Sequence, residues 1–289
     1  MNYPRTLTIE TYSYCNARCK FCGYPTMKRE KGVMGKELFR RIVDESSRWK
    51  HQIEIVPTMY GEFFLNPEWK YYLKYISDHV PRCRISIPTN GSCVDDDVID
   101  FLVKIPNLKY ISFSVYVYSQ EAYRELIGLP ADTILKVSHT IKRLQSERPD
   151  IELRVGTTSD SEFMSNTDEI KMLKTVFKNM VDVHEITRNR EYRGYNNSRV
   201  ETTSCGTPFL TMVVLHDGAV VPCCYDPEAE IVLGNANLNT LFEIWNGKLS
   251  KEFRFKHRNG ARSSIPLCRS CSLTSSSVAT FALRWEKIQ

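Results

Sequence analysis

Six short runs of β-branched and apolar residues alternate with longer amphipathic segments between residues 7 and 200. The predicted strands are Leu7–Thr11, Ile53–Pro57, Arg84–Pro88, Tyr110–Tyr116, Ile151–Thr157 and Val181–Ile186. The predicted helices are Lys36–Trp49, Trp69–Ser77, Asp95–Val103, Ala131–Ser146 and Thr167–Phe177. Strands that alternate with helices form a parallel sheet, because each helix returns the chain to the edge where the next strand begins. We therefore expect an α/β fold, a partial (β/α)6 TIM-like barrel, with its active site at the carboxyl ends of the strands.

The pattern changes near residue 188, where the segment RNREYRGYNNSRVETTS is polar and irregular. Beyond it, Leu210–Leu215 and Ala219–Pro222 flank a His-Asp-Gly turn and predict a β-hairpin, and Leu241–Trp245 predicts a short helix. We therefore predict two domains, a barrel over residues 1–199 and a smaller hairpin and helix domain over residues 200–289.

Ten cysteines are present among 289 residues. The first residues, MNYPRTLTIE, lack the pattern of a secretory signal, and no apolar run approaches the ~18–20 residues that a membrane span needs. In a reducing cytoplasm, clustered cysteines more often bind metal than form disulfides. We therefore expect a cytoplasmic metalloprotein without a membrane partner. Because the net charge of +5 is scattered among nearly equal numbers of bases and acids, we expect no nucleic-acid partner either.

Cys15, Cys19 and Cys22 directly follow the first predicted strand with the spacing C-x3-C-x2-C. Three thiolates within eight residues can hold one face of a cubane iron–sulfur cluster, which normally takes four cysteine ligands. One iron then stays open to a ligand that is not protein, as a catalytic metal requires. Structural zinc is the alternative, but it needs a fourth ligand, and the nearest candidates are His51 and Cys83.

This cysteine spacing resembles the signature of the radical S-adenosylmethionine superfamily, and Phe21 matches the aromatic residue that the family has before its third cysteine. The resemblance implies that the open iron chelates S-adenosylmethionine. One electron from the [4Fe–4S] cluster then cleaves the sulfonium, and the resulting 5′-deoxyadenosyl radical abstracts a hydrogen atom from the substrate. The cofactors supply this chemistry, and the protein positions and shields them.

Further residues that resemble family motifs stand at later strand ends. Tyr60, Gly61 and Glu62 resemble the family's Gly-Gly-Glu motif, which implies that Glu62 accepts a hydrogen bond from the methionyl amino group. Thr89 and Asn90, followed by a glycine, resemble a turn on the cofactor side. Ser112 and Ser114, on or after the fourth strand, are candidates to bind the ribose hydroxyls. An Asn-Gly pair alone indicates only a turn, so it is the shared placement that favours these assignments.

A second group of cysteines comprises Cys205, Cys223, Cys268 and Cys271, which suffice for a closed cluster. Spacing alone leaves tetrahedral zinc equally open. The region resembles the SPASM family, whose pattern begins Cys-x9–15-Gly-x4-Cys: twelve residues lie between Cys205 and Gly218, and four between Gly218 and Cys223. No cysteine follows Cys271, so the resemblance implies the truncated twitch form with one auxiliary [4Fe–4S] cluster.

The resemblance implies hydrogen-atom abstraction from a sugar-like or aminocyclitol substrate. Two-electron oxidation of an alcohol through the auxiliary cluster is favoured, with flavodoxin or ferredoxin as external electron donor. Alternatives are epimerisation of a carbohydrate or ribosomal peptide, with Cys224 donating a hydrogen atom, and a non-enzymatic iron–sulfur redox protein. Arg193 is a candidate substrate residue, because guanidinium groups orient hydroxyls and stabilise developing alkoxides.

Overall fold

One sheet of nine strands organises the computed structural model, which describes residues 2–158, 167–178, 180–186, 205–269 and 271. The strands are β1 (Thr6–Ile9), β2 (Glu54–Val56), β3 (Arg84–Thr89), β4 (Leu108–Tyr116), β5 (Glu152–Thr158), β6 (Asp182–Ile186), β7 (Thr211–Val214), β8 (Ala219–Val221) and β9 (Gly234–Asn235). Their order is β6-β5-β4-β3-β2-β1-β7-β8-β9. The first six are parallel to their neighbours, which confirms the predicted α/β partial barrel.

Helices connect the parallel strands and follow the hairpin. They are α1 (Lys36–Ser47), α2 (Trp69–His79), α3 (Asp96–Leu102), α4 (Gln120–Ile127), α5 (Thr133–Glu147), α6 (Thr167–Phe177), α7 (Thr207–Leu210), α8 (Leu241–Asn246), α9 (Lys248–Arg258) and α10 (Pro266–Arg269). Each predicted helix is present, whereas α4, α7, α9 and α10 were not predicted. Among the described residues, no helix is both long and apolar enough to span a membrane.

The two faces of the parallel sheet differ in polarity. Alternate residues on one face join the apolar core against the helices, and they include Ile55, Ile85, Ile87, Ile111 and Phe113. The opposite face is polar, since Ser86, Ser112, Ser114 and Arg154 alternate with those core residues along β3, β4 and β5. The inner face of this sheet is therefore not a packed apolar barrel interior. A polar face of this kind suits a polar ligand at the strand ends.

The hairpin region continues the barrel sheet. Strand β7 pairs with β1 in parallel, from Thr6 opposite Thr211 to Ile9 opposite Val214. Glu45 of α1 also accepts hydrogen bonds from the first two N–H groups of α8, each at 2.8 Å. The predicted division at residues 199 and 200 lies outside the described residues.

A buried ionic group reinforces this junction. Glu10, just after β1, is 0% exposed, and its carboxylate accepts a hydrogen bond from Arg29 at 2.8 Å. Its second oxygen lies 3.2 Å from His216 Nδ1, in the turn between β7 and β8. Burial alone would raise the pKa of Glu10, but the hydrogen bonds from His216 and Arg29 hold it below its usual value. The charged carboxylate therefore ties three separate chain segments together.

Candidate active site at the carboxyl ends of the strands

The first cysteine loop begins shortly after β1, and Cys15, Cys19 and Cys22 are all half-buried. Its backbone is anchored to the end of α4, because the N–H of Arg18 donates to the carbonyl of Ile127 at 2.8 Å. Cys22 Sγ accepts a hydrogen bond from the N–H of Tyr24 at 3.4 Å. The loop thus presents three thiols at the strand end where catalytic groups of this fold collect.

The buried environment of Cys15 disfavours a thiolate unless a cationic centre is bound to it. Burial raises the pKa of its thiol to about 12, with a further increase from Glu62, while the N–H of Ala17 and the charge of Arg18 oppose this. A bound cationic centre would reverse that preference, since metal coordination deprotonates thiols. Among the described residues, no three His, Cys, Asp or Glu side chains converge as they would around a single ion. The three thiols and their N–H donors fit the wider ligand set of an iron–sulfur cluster.

Glu62 is buried beside this loop, with 3% of its surface exposed. Its carboxylate accepts hydrogen bonds from Thr89 Oγ1 at 2.7 Å, from the N–H of Asn90 at 2.7 Å and from the N–H of Phe64 at 3.3 Å. Burial raises the pKa of Glu62, and these three donors oppose the increase. A carboxylate held in this way can accept a further hydrogen bond from an ammonium group, which fits the amino group of an amino-acid cofactor.

The predicted turn after β3 joins Glu62 to the cysteine loop. The side chain of Asn90 donates to Asn16 Oδ1 at 2.9 Å, within the loop between Cys15 and Cys19. Thr89 and Asn90 therefore bind the carboxylate and the loop, which is a role that the sequence motif did not reveal.

Gly61 is required by a close approach of backbone. A Cβ atom at this position would lie 2.0 Å from the carbonyl oxygen of Tyr12 and 2.9 Å from that of Tyr14. The N–H of Glu62 also donates to the carbonyl of Tyr14 at 2.9 Å. Contact between these two chain segments brings Glu62 against the cysteine loop.

The remaining predicted cofactor residues lie on or near β4. Phe21 is buried and packs its ring edge-on against Tyr116, with ring centroids 4.5 Å apart. Tyr116 has a φ of 68°, a left-handed conformation that is strained for a bulky residue, at a register shift between β4 and β5. Ser112 and Ser114 lie inside β4, half-buried on its polar face. The structure therefore places Phe21 by the strand end and the two serines on the approach to it.

The second group of cysteines is brought together by the hairpin and the segment after α9. Burial raises the pKa of Cys268 to about 12, and its neighbours Cys271 and Cys205 add to the increase electrostatically. A hydrogen bond with Cys224, together with burial and the nearby Cys271, raises the pKa of Cys223. Electrostatic interactions therefore link all four predicted ligands, although they span 67 positions of sequence, from 205 to 271 inclusive.

Each of three thiols in this group has a polar neighbour. The N–H of Tyr225 donates to Cys223 Sγ at 3.3 Å, and Cys205 Sγ lies 3.4 Å from Thr207 Oγ1. Cys268 Sγ lies 3.6 Å from Nε2 of the buried His257. His257 was missed from the sequence because it belongs to no motif and its helix was not predicted.

Tyr60 lies between the two groups of cysteines. Its ring belongs to a small buried cluster that Cys15 and Cys22 pack against. Its hydroxyl donates to the backbone carbonyl of Cys224, whose side chain is exposed. The family-like motif at 60–62 thus contacts the first group and the residue that follows Cys223 of the second. Arg193, the predicted substrate residue, lies outside the described residues.

A partial parallel barrel with a three-thiol loop after its first strand and a buried carboxylate beside that loop defines a barrel-type iron–sulfur enzyme. The family model described as the Radical SAM superfamily matches residues 9–158, and the model described as an iron-sulfur cluster-binding domain, SPASM, matches residues 205–272. The chain belongs to the radical S-adenosylmethionine superfamily. Its members are enzymes that use S-adenosylmethionine and a [4Fe–4S] cluster, which removes the alternative of a non-enzymatic redox protein.

Similar proteins act on two kinds of substrate. The S-adenosyl-L-methionine-dependent 2-deoxy-scyllo-inosamine dehydrogenase of Niallia circulans is 23% identical over 278 residues, which cover 92% of both chains. The crystal structure of BtrN in complex with AdoMet and 2-DOIA matches with a TM-score of 0.70 and 19% identity, over 94% of both chains. Streptococcus suis SuiB bound to the precursor peptide SuiA matches with a TM-score of 0.69 and 16% identity, over 95% of this chain and 71% of SuiB. These likenesses support the fold.

Proposed function

We propose that this chain is a cytoplasmic radical S-adenosylmethionine dehydrogenase that oxidises an alcohol of a sugar-like or aminocyclitol substrate. It would use two [4Fe–4S] clusters and an external electron-transfer protein such as flavodoxin or ferredoxin. The observation that carries the proposal is the gathering of four cysteines, Cys205, Cys223, Cys268 and Cys271, next to a complete three-cysteine loop. The clustering of ten cysteines supports the cytoplasmic setting, because clustered cysteines in a reducing compartment more often bind metal than form disulfides.

Cys15, Cys19 and Cys22 would hold the first cluster, and Glu62 would accept a hydrogen bond from the amino group of S-adenosylmethionine. When bound, cluster and S-adenosylmethionine supply the abstraction of a hydrogen atom from a C–H bond of the substrate. The chain itself fixes the geometry. Thr89 and Asn90 orient the Glu62 carboxylate, and Gly61 lets it approach the loop.

The polar face of β4 and β5 favours a hydroxylated ligand. Ser112 lies opposite Arg154, and Ser114 lies opposite Gly156, on the face away from the apolar core. Ser112 and Ser114 would bind the ribose hydroxyls of the cofactor, as their half-buried side chains allow. Arg193 remains the proposed residue that orients the substrate hydroxyl.

The dehydrogenase proposal requires a group in the protein that accepts the second electron of the oxidation. Oxidation of an alcohol to a ketone removes a hydrogen atom, and then one electron and one proton. The four C-terminal cysteines would hold the group that accepts the electron. The relative acting on 2-deoxy-scyllo-inosamine, whose name describes an alcohol oxidation, supports this choice over epimerisation.

Iron content tests the two-cluster proposal. We expect about eight irons per chain after anaerobic reconstitution, since each cubane contains four. Replacing Cys15, Cys19 and Cys22 together by Ala should leave about four. A wild-type protein that saturates near four irons and retains one tightly bound zinc would contradict the auxiliary cluster.

Epimerisation is the second candidate, favoured by the position of Cys224. Its exposed thiol adjoins Cys223 and its carbonyl binds Tyr60, so it lies between the two groups of cysteines. A thiol can donate a hydrogen atom to a carbon radical, which would complete an inversion in a carbohydrate or, as the SuiB match suggests, a peptide.

Turnover in deuterium oxide separates the two reactions. An epimerase would place one solvent deuterium at the inverted carbon, and Cys224→Ala would fail to complete the cycle. A dehydrogenase would form the ketone at an unchanged rate in Cys224→Ala. Cys83→Ala is a suitable control, because Cys83 directly precedes β3, at the end of that strand opposite the cysteine loop, and its sulfur accepts a hydrogen bond from Asn107.

A further inference from the structure

His257 has no part in the predicted ligand set, yet it is 1% exposed and touches it. It stands near the end of α9, where Phe253 packs against its ring with centroids 4.9 Å apart. Its Nε2 atom lies 3.6 Å from Cys268 Sγ. Its Nδ1 atom is buried without a hydrogen-bond partner among the described residues. Among the residues that the structure describes, the one hydrogen bond of the ring is therefore with a cysteine sulfur.

The direction of this hydrogen bond follows from the ligand state of Cys268. A cysteine that binds iron is a thiolate, which can accept hydrogen bonds but cannot donate them. Nε2 must then carry the proton and donate, whether the ring is neutral or charged. A hydrogen bond to a cluster sulfur favours the more negative, reduced state of the cluster and so raises its reduction potential.

We propose that His257 is a positioning residue that raises the reduction potential of the auxiliary cluster by donating an Nε2–H hydrogen bond to Cys268. This rests on the proposed auxiliary cluster and deepens its role as electron acceptor. His257 is not needed as a ligand, since the four cysteines complete the cluster.

Other groups around the second set of cysteines also favour the reduced state of the proposed cluster. Thr207 can donate its hydroxyl to a Cys205 thiolate, and the N–H of Tyr225 donates to Cys223. The side chain of Arg262, 4% exposed, donates to the carbonyl of Cys271 and adds a buried positive charge. A buried carboxylate lies near each group, since Glu62 raises the pKa of Cys15 and Asp226 raises that of Cys268. The hydrogen-bond donors around the second group are therefore the features that favour its reduced state, and His257 is the imidazole among them.

The test measures the potential of the auxiliary cluster alone, in the full chain carrying Cys15→Ala, Cys19→Ala and Cys22→Ala. Redox titration followed by electron paramagnetic resonance should give a more negative midpoint for His257→Phe, which keeps an aromatic ring but removes the donor. His257→Gln, whose amide N–H can also donate, should return the midpoint toward that of the unsubstituted His257 protein. Both should retain about four irons, because no ligand is lost.

Phe253→Leu is the matched control, since it alters packing on the same ring without removing the donor, and its midpoint should not move. An unchanged midpoint in His257→Phe overturns the proposal, as does an equal shift in Phe253→Leu. Loss of iron in both His257 variants would also overturn it, because His257 would then hold the cluster rather than tune it. If the protein with His257 intact binds no iron in this background, the auxiliary cluster itself is wrong and the inference fails with it.

Discussion

At the scale of single residues, the hydrogen bonds around Glu62 determine the position and orientation of its carboxylate. Three donors hold its carboxylate, from Thr89, Asn90 and Phe64. A buried carboxylate is normally costly, and a cationic ligand would remove that cost by pairing with it. The three donors and the burial of Glu62 therefore support the proposal that it binds the ammonium group of the cofactor.

We expect Glu62→Gln to weaken S-adenosylmethionine binding about ten- to a hundredfold without loss of iron. The amide keeps the shape but removes a charged hydrogen bond of roughly 1.5–3 kcal/mol. Equilibrium dialysis measures the effect, with Glu252→Gln as control, since that side chain is 55% exposed on α9 and pairs with Lys248. Equal affinities for Glu62→Gln and the wild type would place the amino group elsewhere.

We expect Gly61→Ala to destabilise the protein by about 1–3 kcal/mol, because the added methyl overlaps the carbonyl of Tyr12 and the backbone must shift. Denaturant unfolding at constant iron content checks this. Gly35→Ala is the comparison, since a Cβ atom there has no neighbour within 4 Å. Similar losses for both variants would mean that the close approach is unimportant.

The position of Cys15, Cys19 and Cys22 on one loop after the first strand was predictable, because their short spacing follows directly on a β-branched run. Their role as cluster ligands stays a prediction. The sequence predicted only that Glu62, Thr89 and Asn90 lie at the same edge of the sheet. It did not predict the hydrogen bonds between them, because Thr89 and Asn90 are distant from Glu62 in sequence. The contact between Cys268 and His257 gave no signal, since one lone histidine among polar residues has many explanations.

At the scale of elements, the six parallel strands were predicted to within two residues at each end, because buried β-branched runs mark them. Helix α9 was missed because it buries only Ser250, Phe253 and His257, too few apolar residues to show a helical period. Pairing of β1 with β7 was also not predictable, since their partners lie some 205 positions apart.

The buried ion pair of Glu10 and Arg29, together with His216, connects β1, the segment after the cysteine loop and the hairpin. We expect Arg29→Met to destabilise the protein by about 3–5 kcal/mol, because it leaves a buried carboxylate unpaired. The folded-state pKa of Glu10 is lowered, so its stabilisation is complete above the usual value of 4.5 and is lost as pH falls through the folded pKa. Unfolding at pH 7.5 therefore measures the whole effect.

The double variant Glu10→Leu with Arg29→Met should regain much of that stability, because removing both charges leaves no unpaired ion. A double variant no more stable than Arg29→Met would show that the pair is not the cause.

At the scale of the whole molecule, the sheet does not divide between the regions matched by the two family models. Strand β1 is paired on both sides, by β2 and by β7, and its Leu7 and Ile9 are fully buried. We expect a fragment of residues 1–199 to be insoluble, because it exposes this edge strand. Solubility and cooperative unfolding check this.

Co-expression of residues 200–289 should return the 1–199 fragment to the soluble fraction by supplying β7. A 1–199 fragment that unfolds cooperatively on its own would show that the barrel is independent.

The parallel pairing of β1 with β7 fixes the spacing between the strands that precede the two groups of cysteines. One group of cysteines follows β1 and part of the other follows β8, so two interstrand steps of about 4.8 Å separate the strands that bear them. Hydrogen-bonded strands cannot slide apart gradually, since register changes only in whole residues. Substitutions on the polar face can thus change the molecule that binds there over evolutionary time, while the spacing between the strands that carry the two groups of cysteines stays the same.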